Sequence, residues 1–283
     1  MTKIKARKSL GQNFLNDESV ARRIIDLVSP SPNDILIEVG PGTGVLTRML
    51  VERGGYVVAV EIDQRLSDSL SRSIKRENLS VITGDALRMN WEEVIAKTGE
   101  TLRSVHPDQI GAPRIRVVAN LPYYISTPII EMFLSMHHQL FDMTLMFQKE
   151  VAERIATGPG SKEYGYLSVL VQYYSVASKM FDVPPSAFTP EPKVHSAVIK
   201  LKIRKQPAVE VEDERRFFAL VRAAFSQRRK TIQNNLKAGA AALKFPRAIE
   251  AALEAAGIAP HRRAETLSLA EFATLDRELF CYT

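Results

Sequence analysis

The chain has a single cysteine, Cys281, in 283 residues, so no disulfide can close within it and a reducing compartment is expected. Its few histidines fall nowhere at metal-ligand spacing. His137 and His138 are adjacent, which on a helix points them about 100° apart instead of toward one ion. No metal is expected. No run approaches the roughly 18 apolar residues needed to span a bilayer. The basic start, with Lys3, Lys5, Arg7 and Lys8, leads into Leu10-Gly11-Gln12-Asn13 and not into an apolar h-region. A secretory leader is therefore not expected, and the reading is cytoplasmic with no membrane partner. Acids are missing from two stretches. None precedes Asp17, and none lies between Arg215 and Arg247, where Arg222, Arg228, Arg229, Lys230, Lys237 and Lys244 accumulate. A solvated helix face ordinarily mixes signs. One-signed stretches in a chain of net charge +6 favour surfaces that face phosphates.

What is present is ordinary for a globular protein, 45% hydrophobic and 25% charged, and long enough for two domains or one large one. Short β-branched runs at 35–39, 56–60, 80–83, 115–119 and 143–147 predict strands. Segments 45–53, 64–76, 91–97 and 127–136 show helical spacing, the last with Ser126 as N-cap and Pro128 in the first turn. This alternation implies an α/β fold, a mostly parallel sheet with helices on both faces. The polar stretch 98–113, with Gly99, Pro107, Gly111 and Pro113, predicts a surface insertion. Beyond Met180 a Pro-rich loop and an edge strand at 195–203 follow. From residue 206 the chain is Ala-, Leu- and Arg-rich with helical periodicity. The expected domains are 1–205, catalytic, and 206–283, small and α-helical.

The first strand runs into Glu38-Val39-Gly40-Pro41-Gly42-Thr43-Gly44. Glycines at a strand-to-helix turn let backbone approach a ligand. The pattern is G-x-G-x-G, so the dinucleotide fingerprint fails at its third glycine. Glu61, followed by Ile62, closes the second strand, where a carboxylate can accept from a ribose diol. Asp85, followed by Ala86, closes the third, where it can accept from an adenine amino group. Each acid could instead be a helix N-cap. Three successive strand ends bearing glycines, Glu and Asp favour an adenosine-type ligand outside the carboxyl ends of the strands.

The fourth strand ends in Asn120-Leu121-Pro122-Tyr123. An amide, a constrained carbonyl and an aromatic face at one sheet edge can hold a planar amine, although a strand-to-turn break has the same letters. Pro122 biases Leu121 to an extended conformation and so fixes where its carbonyl points. Tyr123, and Phe188 from the Pro-rich loop, could stack on a base.

Taken together, these segments resemble class I S-adenosylmethionine-dependent methyltransferases with a Rossmann-like sheet, and more closely the KsgA/RsmA family of ribosomal RNA adenine dimethyltransferases. The resemblance rests on Lys8-Ser9-Leu10-Gly11-Gln12-Asn13-Phe14-Leu15, the glycine loop, Val60-Glu61-Ile62-Asp63, Gly84-Asp85-Ala86, Asn120-Leu121-Pro122-Tyr123 and Phe188-Thr189-Pro190-Glu191-Pro192-Lys193-Val194. It implies that Asn13 and Leu15 help close the cofactor pocket. It also implies that Gly40 contacts the methionine part of S-adenosylmethionine, Glu61 the ribose and Asp85 the adenine, with Gly42, Ile62 and Ala86 beside them. Asn120 would lie by the sulfonium. The implied activity is N6 dimethylation of two adjacent adenosines in a hairpin loop near the 3′ end of small-subunit rRNA, within a pre-assembled subunit, by a monomer. Lys5, Arg7, Lys8, Arg222, Arg228, Arg229 and Lys230 would grip RNA phosphates. Two departures stand out: the length of 98–113, and His195 where Asp is more usual. The rival readings are a large-subunit rRNA methyltransferase of the macrolide-resistance type, a non-catalytic RNA-binding assembly or transcription factor on the same fold, and a nucleotide-dependent oxidoreductase.

Overall fold

A computed structural model describes residues 4–105, 111–243, 245 and 248–280. Lys3, Lys244, Arg247, Cys281 and positions 106–110 of the predicted insertion lie outside the described residues. The strands are β1 (Phe14–Leu15), β2 (Asp34–Val39), β3 (Tyr56–Glu61), β4 (Leu79–Thr83), β5 (Arg114–Asn120), β6 (Leu140–Gln148), β7 (Ser175–Val183), β8 (Phe188–Thr189) and β9 (Ser196–Ile203). The α-helices are α1 (Glu18–Val28), α2 (Val45–Arg53), α3 (Gln64–Ser73), α4 (Trp91–Val105), α5 (Ser126–Ser135), α6 (Lys149–Ala156), α7 (Tyr166–Tyr174), α8 (Glu214–Ala224), α9 (Ile232–Leu243), α10 (Ile249–Ala255) and α11 (Leu269–Phe280). Among the described residues, no helix is long and apolar enough to cross a membrane.

Seven strands form one sheet in the order β4-β3-β2-β5-β6-β9-β7, and β1 and β8 form a separate two-stranded ladder. The β4-β3-β2-β5-β6 part is parallel throughout, while β9 runs antiparallel to β6. Strand order reverses at β2, with β3 on one side and β5 on the other. Ligands of open α/β sheets bind in the crevice beyond the strand ends at such a point. Every residue of β2 is buried, as expected for a central strand covered on both faces. Helix α1 is capped by Asp17, whose side chain accepts from the Ser19 and Val20 amides. It buries Val20, Ala21, Ile24, Ile25 and Val28 as one stripe, in a core with Leu36, Leu50, Val57, Val118 and Val198.

The opposite end of the sheet is closed by paired charges. Buried Asp34 accepts from Arg114 (2.8 Å) and Arg116 (2.9 Å), and Arg116 also reaches Asp142 (2.6 Å) and the Val28 carbonyl (2.9 Å). That guanidinium ties β2, β5, β6 and the end of α1 together.

Three details depart from the sequence reading. Helix α4 continues through Thr98 to Val105, so the first half of the predicted insertion is helical. Thr98 and Leu102, one turn apart, are both buried, and Thr98 Oγ1 donates to the Val94 carbonyl (2.7 Å). Ser126 is not an N-cap: its hydroxyl donates to the Tyr123 carbonyl (3.2 Å), and Ile125 holds the cap position. The strand at 196–203 is not an edge either, because β7 lies outside it. Ser196, Ala197, Val198 and Ile199 are accordingly buried in succession, on both faces of the strand.

The chain divides into two compact units, Met1–Ala152 with Ser178–Ile203, and Glu153–Ala177 with Arg204–Thr283. The sequence boundary at 205 differs by the excursion Glu153–Ala177. Within the second unit, Tyr173 packs on Phe217 (ring centroids 5.4 Å) and Phe218 (5.1 Å). The hydroxyls of Tyr173 and Tyr174 both donate to Glu214 (3.1 and 2.7 Å), so α7 shares a core with α8.

Candidate active site

A cavity of about 280 Å³ opens at the carboxyl ends of the parallel strands, within the first unit. Its base is the turn between β2 and α2. Gly40, Gly42 and Gly44 all have left-handed backbone, with φ of 69°, 57° and 80°. At Gly42 a Cβ would stand 3.0 Å from the Phe14 ring, and at Gly44 it would stand 2.3 Å from Leu70 Cδ1. Only glycine meets both demands.

The next strand end supplies Glu61. Its two carboxylate oxygens accept the Gly42 amide (3.1 Å) and the Asp63 amide (3.0 Å), which locks the carboxylate against the glycine loop. Burial raises its pKa, opposed by those amide bonds. Asp63 takes the N-cap role at α3, accepting from the Arg65 amide. The Arg65 guanidinium pairs with it at 2.6 Å, and that hydrogen bond holds its carboxyl down to about 2. Gln12 Nε2 donates to the same carboxylate (3.3 Å), and Arg7 stands 3.7 Å away, so Asp63 anchors the N-terminal segment beside the cavity. Of the two roles weighed from the sequence for Asp85, the helix cap is seen directly. Asp85 caps the short helix Ala86–Arg88 through the Leu87 amide (3.0 Å), and it lines the cavity.

The fourth strand end brings in Asn120. Its Nδ2 donates to the Asn13 carbonyl (3.2 Å), which fixes the amide plane and leaves Oδ1 as the free acceptor. The Leu121 amide donates to the Met146 carbonyl (3.0 Å), and its side chain is buried. Tyr123 shares a hydrogen bond with Ser196 Oγ (2.9 Å), and burial raises its pKa. The ladder pairs Leu15 with Phe188 and Phe14 with Thr189, and Asn16 Nδ2 donates to Thr189 Oγ1 (2.7 Å). The segment carrying Asn13 is thereby strapped to the loop carrying Phe188.

Every residue predicted for the cofactor and the target base, from Asn13 and Leu15 to Phe188, lines this one cavity. Phe188 differs in character from the expectation of an open stacking face. It is only 2% exposed and forms part of the wall. The open aromatic face is Tyr124, 57% exposed, which sequence reasoning passed over although it adjoins Tyr123. Ile62 (50%) and Leu87 are likewise exposed on the cavity side. Three of the seven large apolar side chains exposed among the described residues thus line one cavity, as an apolar ligand surface requires. Gln12, Phe14 and Glu38 also belong to the lining and were not predicted.

The basic residues fall on both units. Lys5, Arg7 and Lys8 are exposed in the first. In the second, Arg222 stacks on the Tyr166 ring (4.2 Å) and Arg228 donates to the Lys162 carbonyl, while Arg229 and Lys230 are exposed. The run 215–247 is less one-signed in space than in sequence. Arg216 pairs with Asp276 (2.9 Å) and Lys237 with Glu250 (2.5 Å), acids supplied from beyond the run.

A family model described as ribosomal RNA adenine dimethylase matches residues 3–279. The chain belongs to that family. Relatives within it named ribosomal RNA small subunit methyltransferase A include a protein of Anoxybacillus flavithermus, 48% identical, with 97% of this chain and 90% of that protein covered. The protein of that name from Moorella thermoacetica is 44% identical, with 96% and 92% covered. Among solved structures, a dimethyladenosine transferase from Plasmodium falciparum aligns with a TM-score of 0.72 at 26% identity, covering 93% of this chain and 95% of that one. The 23S rRNA methyltransferase ErmE aligns with a TM-score of 0.66 at 26% identity, covering 94% and 99%. Family membership makes the protein an rRNA adenine methyltransferase and accounts for a Rossmann-like sheet with a G-x-G-x-G turn in place of the dinucleotide fingerprint.

Proposed function

We propose that the protein transfers methyl groups from S-adenosylmethionine to the N6 atoms of two adjacent adenosines in a hairpin loop near the 3′ end of small-subunit rRNA. It would act as a monomer on a pre-assembled subunit during ribosome biogenesis. The observation that carries this reading is the Asn120 amide, pinned through Nδ2 to Asn13 so that Oδ1 is left to accept at the cavity mouth. The small-subunit address is favoured over the large-subunit one by relatives of 44% and 48% identity against 26% for ErmE.

The cavity fits an adenosine-bearing donor. Glu61 has both oxygens seated on backbone amides, and each keeps a lone pair for a ribose hydroxyl. Ile62 and Leu87 offer an apolar surface to a purine beside Asp85, and at Gly40 a Cβ would meet nothing nearer than the Asn120 carbonyl oxygen at 3.8 Å, so the backbone there is open to a ligand. When bound, S-adenosylmethionine supplies an electrophilic methyl group on a sulfonium.

The chain's own residues supply the positioning. An adenine N6 lone pair is delocalised into the ring and is a poor nucleophile. Asn120 Oδ1 and the Leu121 carbonyl would accept the two N6 hydrogens and hold the nitrogen for in-line attack. Tyr123 offers a ring to the extruded base, with Phe188 as the inner wall. No strong general base is needed, because the nitrogen becomes acidic once methylated. Lys5, Arg7, Lys8, Arg222, Arg228, Arg229 and Lys230 would meet phosphates, and unpaired loops are the usual targets of such recognition. The test is to incubate the protein with labelled S-adenosylmethionine and a mixture of undermethylated small and large subunits and to map the label. Two adjacent dimethylated adenines are expected. Label confined to large-subunit rRNA, or none, would refute the reading.

A further inference from the structure

Two tyrosines follow the Asn120 turn, and their rings face different ways. Tyr123 and Tyr124 are consecutive in the short helix Tyr123–Ile125. A helix of this kind turns once every three residues, which sets neighbouring side chains about 120° apart. Tyr123 turns inward: it is half-buried and tied through its hydroxyl to Ser196 at the start of β9 (2.9 Å). Tyr124 turns toward the N-terminal segment and is 57% exposed, more than any other large apolar side chain among the described residues. It is nonetheless held in place. Its ring lies against Gly11, where a Cβ would stand 3.2 Å from Cδ1 and 3.3 Å from Cε1. Gly11 also has left-handed backbone, with φ of 57°, so the conformation and the ring both demand glycine there. The Gly11 amide donates to the Lys8 carbonyl (3.0 Å), and its carbonyl accepts from Asn13 Nδ2 (3.3 Å). Asn13 in turn offers its own carbonyl to Asn120. The seat of the Tyr124 ring and the acceptor for the target nitrogen therefore share one anchor. Lys8, exposed in the short helix that Gly11 ends, adds a cation beside that seat. A fixed, open ring next to basic side chains suits a base of a single strand whose backbone is gripped alongside.

We propose that Tyr124 is the platform for the nucleotide next to the target, its ring stacking on that neighbour's base while Tyr123 and Phe188 face the target itself. The proposal rests on the reading that the cavity methylates adjacent adenosines in an rRNA loop. It gives adjacency a structural reason: the adenosine outside the cavity is held on Tyr124 while the other is inside. Tyr124 is then a specificity residue, one that senses a base beside the target and makes no contact with the reacting nitrogen.

The test is methyl transfer by the full chain to undermethylated small subunits reconstituted with rRNA in which one or the other of the two adjacent adenosines is abasic. In wild type, loss of the neighbouring base should lower transfer to the remaining adenosine about tenfold, the worth of one base–aromatic stack. Tyr124→Ala should show that loss already on unaltered subunits, as a raised KM with kcat within about threefold. Removing the neighbour should then cost this variant less than about twofold more. Tyr124→Phe and Tyr124→Trp, which keep a ring, should restore both the KM and the sensitivity to the neighbour. A penalty from the missing 3′ base assigns the 3′ neighbour to Tyr124, and one from the missing 5′ base assigns the 5′ neighbour. Wild-type transfer indifferent to both abasic positions, an equal abasic penalty in wild type and Tyr124→Ala, or a Tyr124→Ala defect that lies in calorimetric S-adenosylmethionine affinity would each overturn the proposal while leaving the methyltransferase reading intact. The wild-type arm decides the matter even if Tyr124→Ala fails to fold. Failure of wild type to methylate the unaltered small subunits would instead overturn the reading of function, and this proposal with it.

Discussion

Replacing Asn120 by alanine removes the side-chain acceptor at the target nitrogen and one internal hydrogen bond, and the two losses can be separated. The internal loss is the Nδ2 bond to the Asn13 carbonyl (3.2 Å). A neutral hydrogen bond at a part-buried site is worth about 1 kcal/mol, so unfolding free energy should fall by about that much. The functional loss concerns Oδ1, which touches substrate only when an adenine is in place. Removing one preorganised group of this kind costs about 3–4 kcal/mol of transition-state stabilisation, or roughly 10²–10³ in kcat. Binding of S-adenosylmethionine should change by less than about fivefold, because the carboxylate grips of Glu61 and Asp85 are untouched. The assay is single-turnover methyl transfer to undermethylated small subunits, with calorimetry for the cofactor and denaturant titration for stability. Turnover within tenfold of wild type, in a variant that binds cofactor normally, would refute the role of Oδ1. A loss of cofactor affinity parallel to the loss of rate would show instead that the amide serves the roof of the pocket.

Glu61→Gln places an N–H donor against the Gly42 or Asp63 amide and should weaken S-adenosylmethionine by about 10–100-fold, the worth of charge-assisted hydrogen bonds; unchanged calorimetric affinity would remove it from the site. Reversing Arg229 and Lys230 to glutamate should lower subunit affinity and flatten its dependence on salt, and an unaltered salt slope would take this loop out of the RNA interface. Glu38 should mark the pH dependence of stability. Its carboxyl, raised by burial to about 7 in the folded protein against an ordinary 4.5, keeps a proton that the unfolded chain has given up, so its contribution to stability declines as pH rises between those values. Relative to wild type, Glu38→Gln should therefore gain about 3 kcal/mol between about pH 4 and pH 8. A difference between the two proteins that is flat with pH would contradict it.

The parallel core was legible because β-branched runs buried on both faces leave a dense apolar signature, and because Gly, Glu, Asp and Asn follow four successive runs. Helix α4 was cut short in the sequence reading because Gly99 and the polar residues around it look like a loop, whereas the burial of Thr98 and Leu102 is decided by packing. Ser126 carries the letter of an N-cap, but its hydroxyl finds the Tyr123 carbonyl first. Strand β7 shows mostly exposed side chains and so lacks the apolar run that exposes a strand in sequence. At the site, Glu38 passed for a strand residue ahead of the glycines, since nothing in a sequence says how deeply a carboxyl is buried. Tyr124 was eclipsed by its neighbour, because which of two consecutive tyrosines turns outward depends on the short helix they share, Tyr123–Ile125. The charge balance of 215–247 was misjudged because Asp276 and Glu250 reach it only in three dimensions.

The ladder between β1 and β8 is only two residues long on each side, yet it fastens chain positions 14–15 to 188–189 across the cofactor end of the cavity. A joint this short opens at far lower free energy than the sheet behind it. The cavity is therefore roofed by a two-residue pairing, while its floor is set into a strand buried along its whole length. Ligand exchange then needs no hinge in the fold: fraying of the ladder releases the segment from Asn13 to Leu15, and re-pairing returns the Asn13 carbonyl to Asn120. Amide hydrogens of the ladder should trade with solvent well ahead of those in β2 and β5, and a nucleoside in the cavity should slow them by closing the same latch.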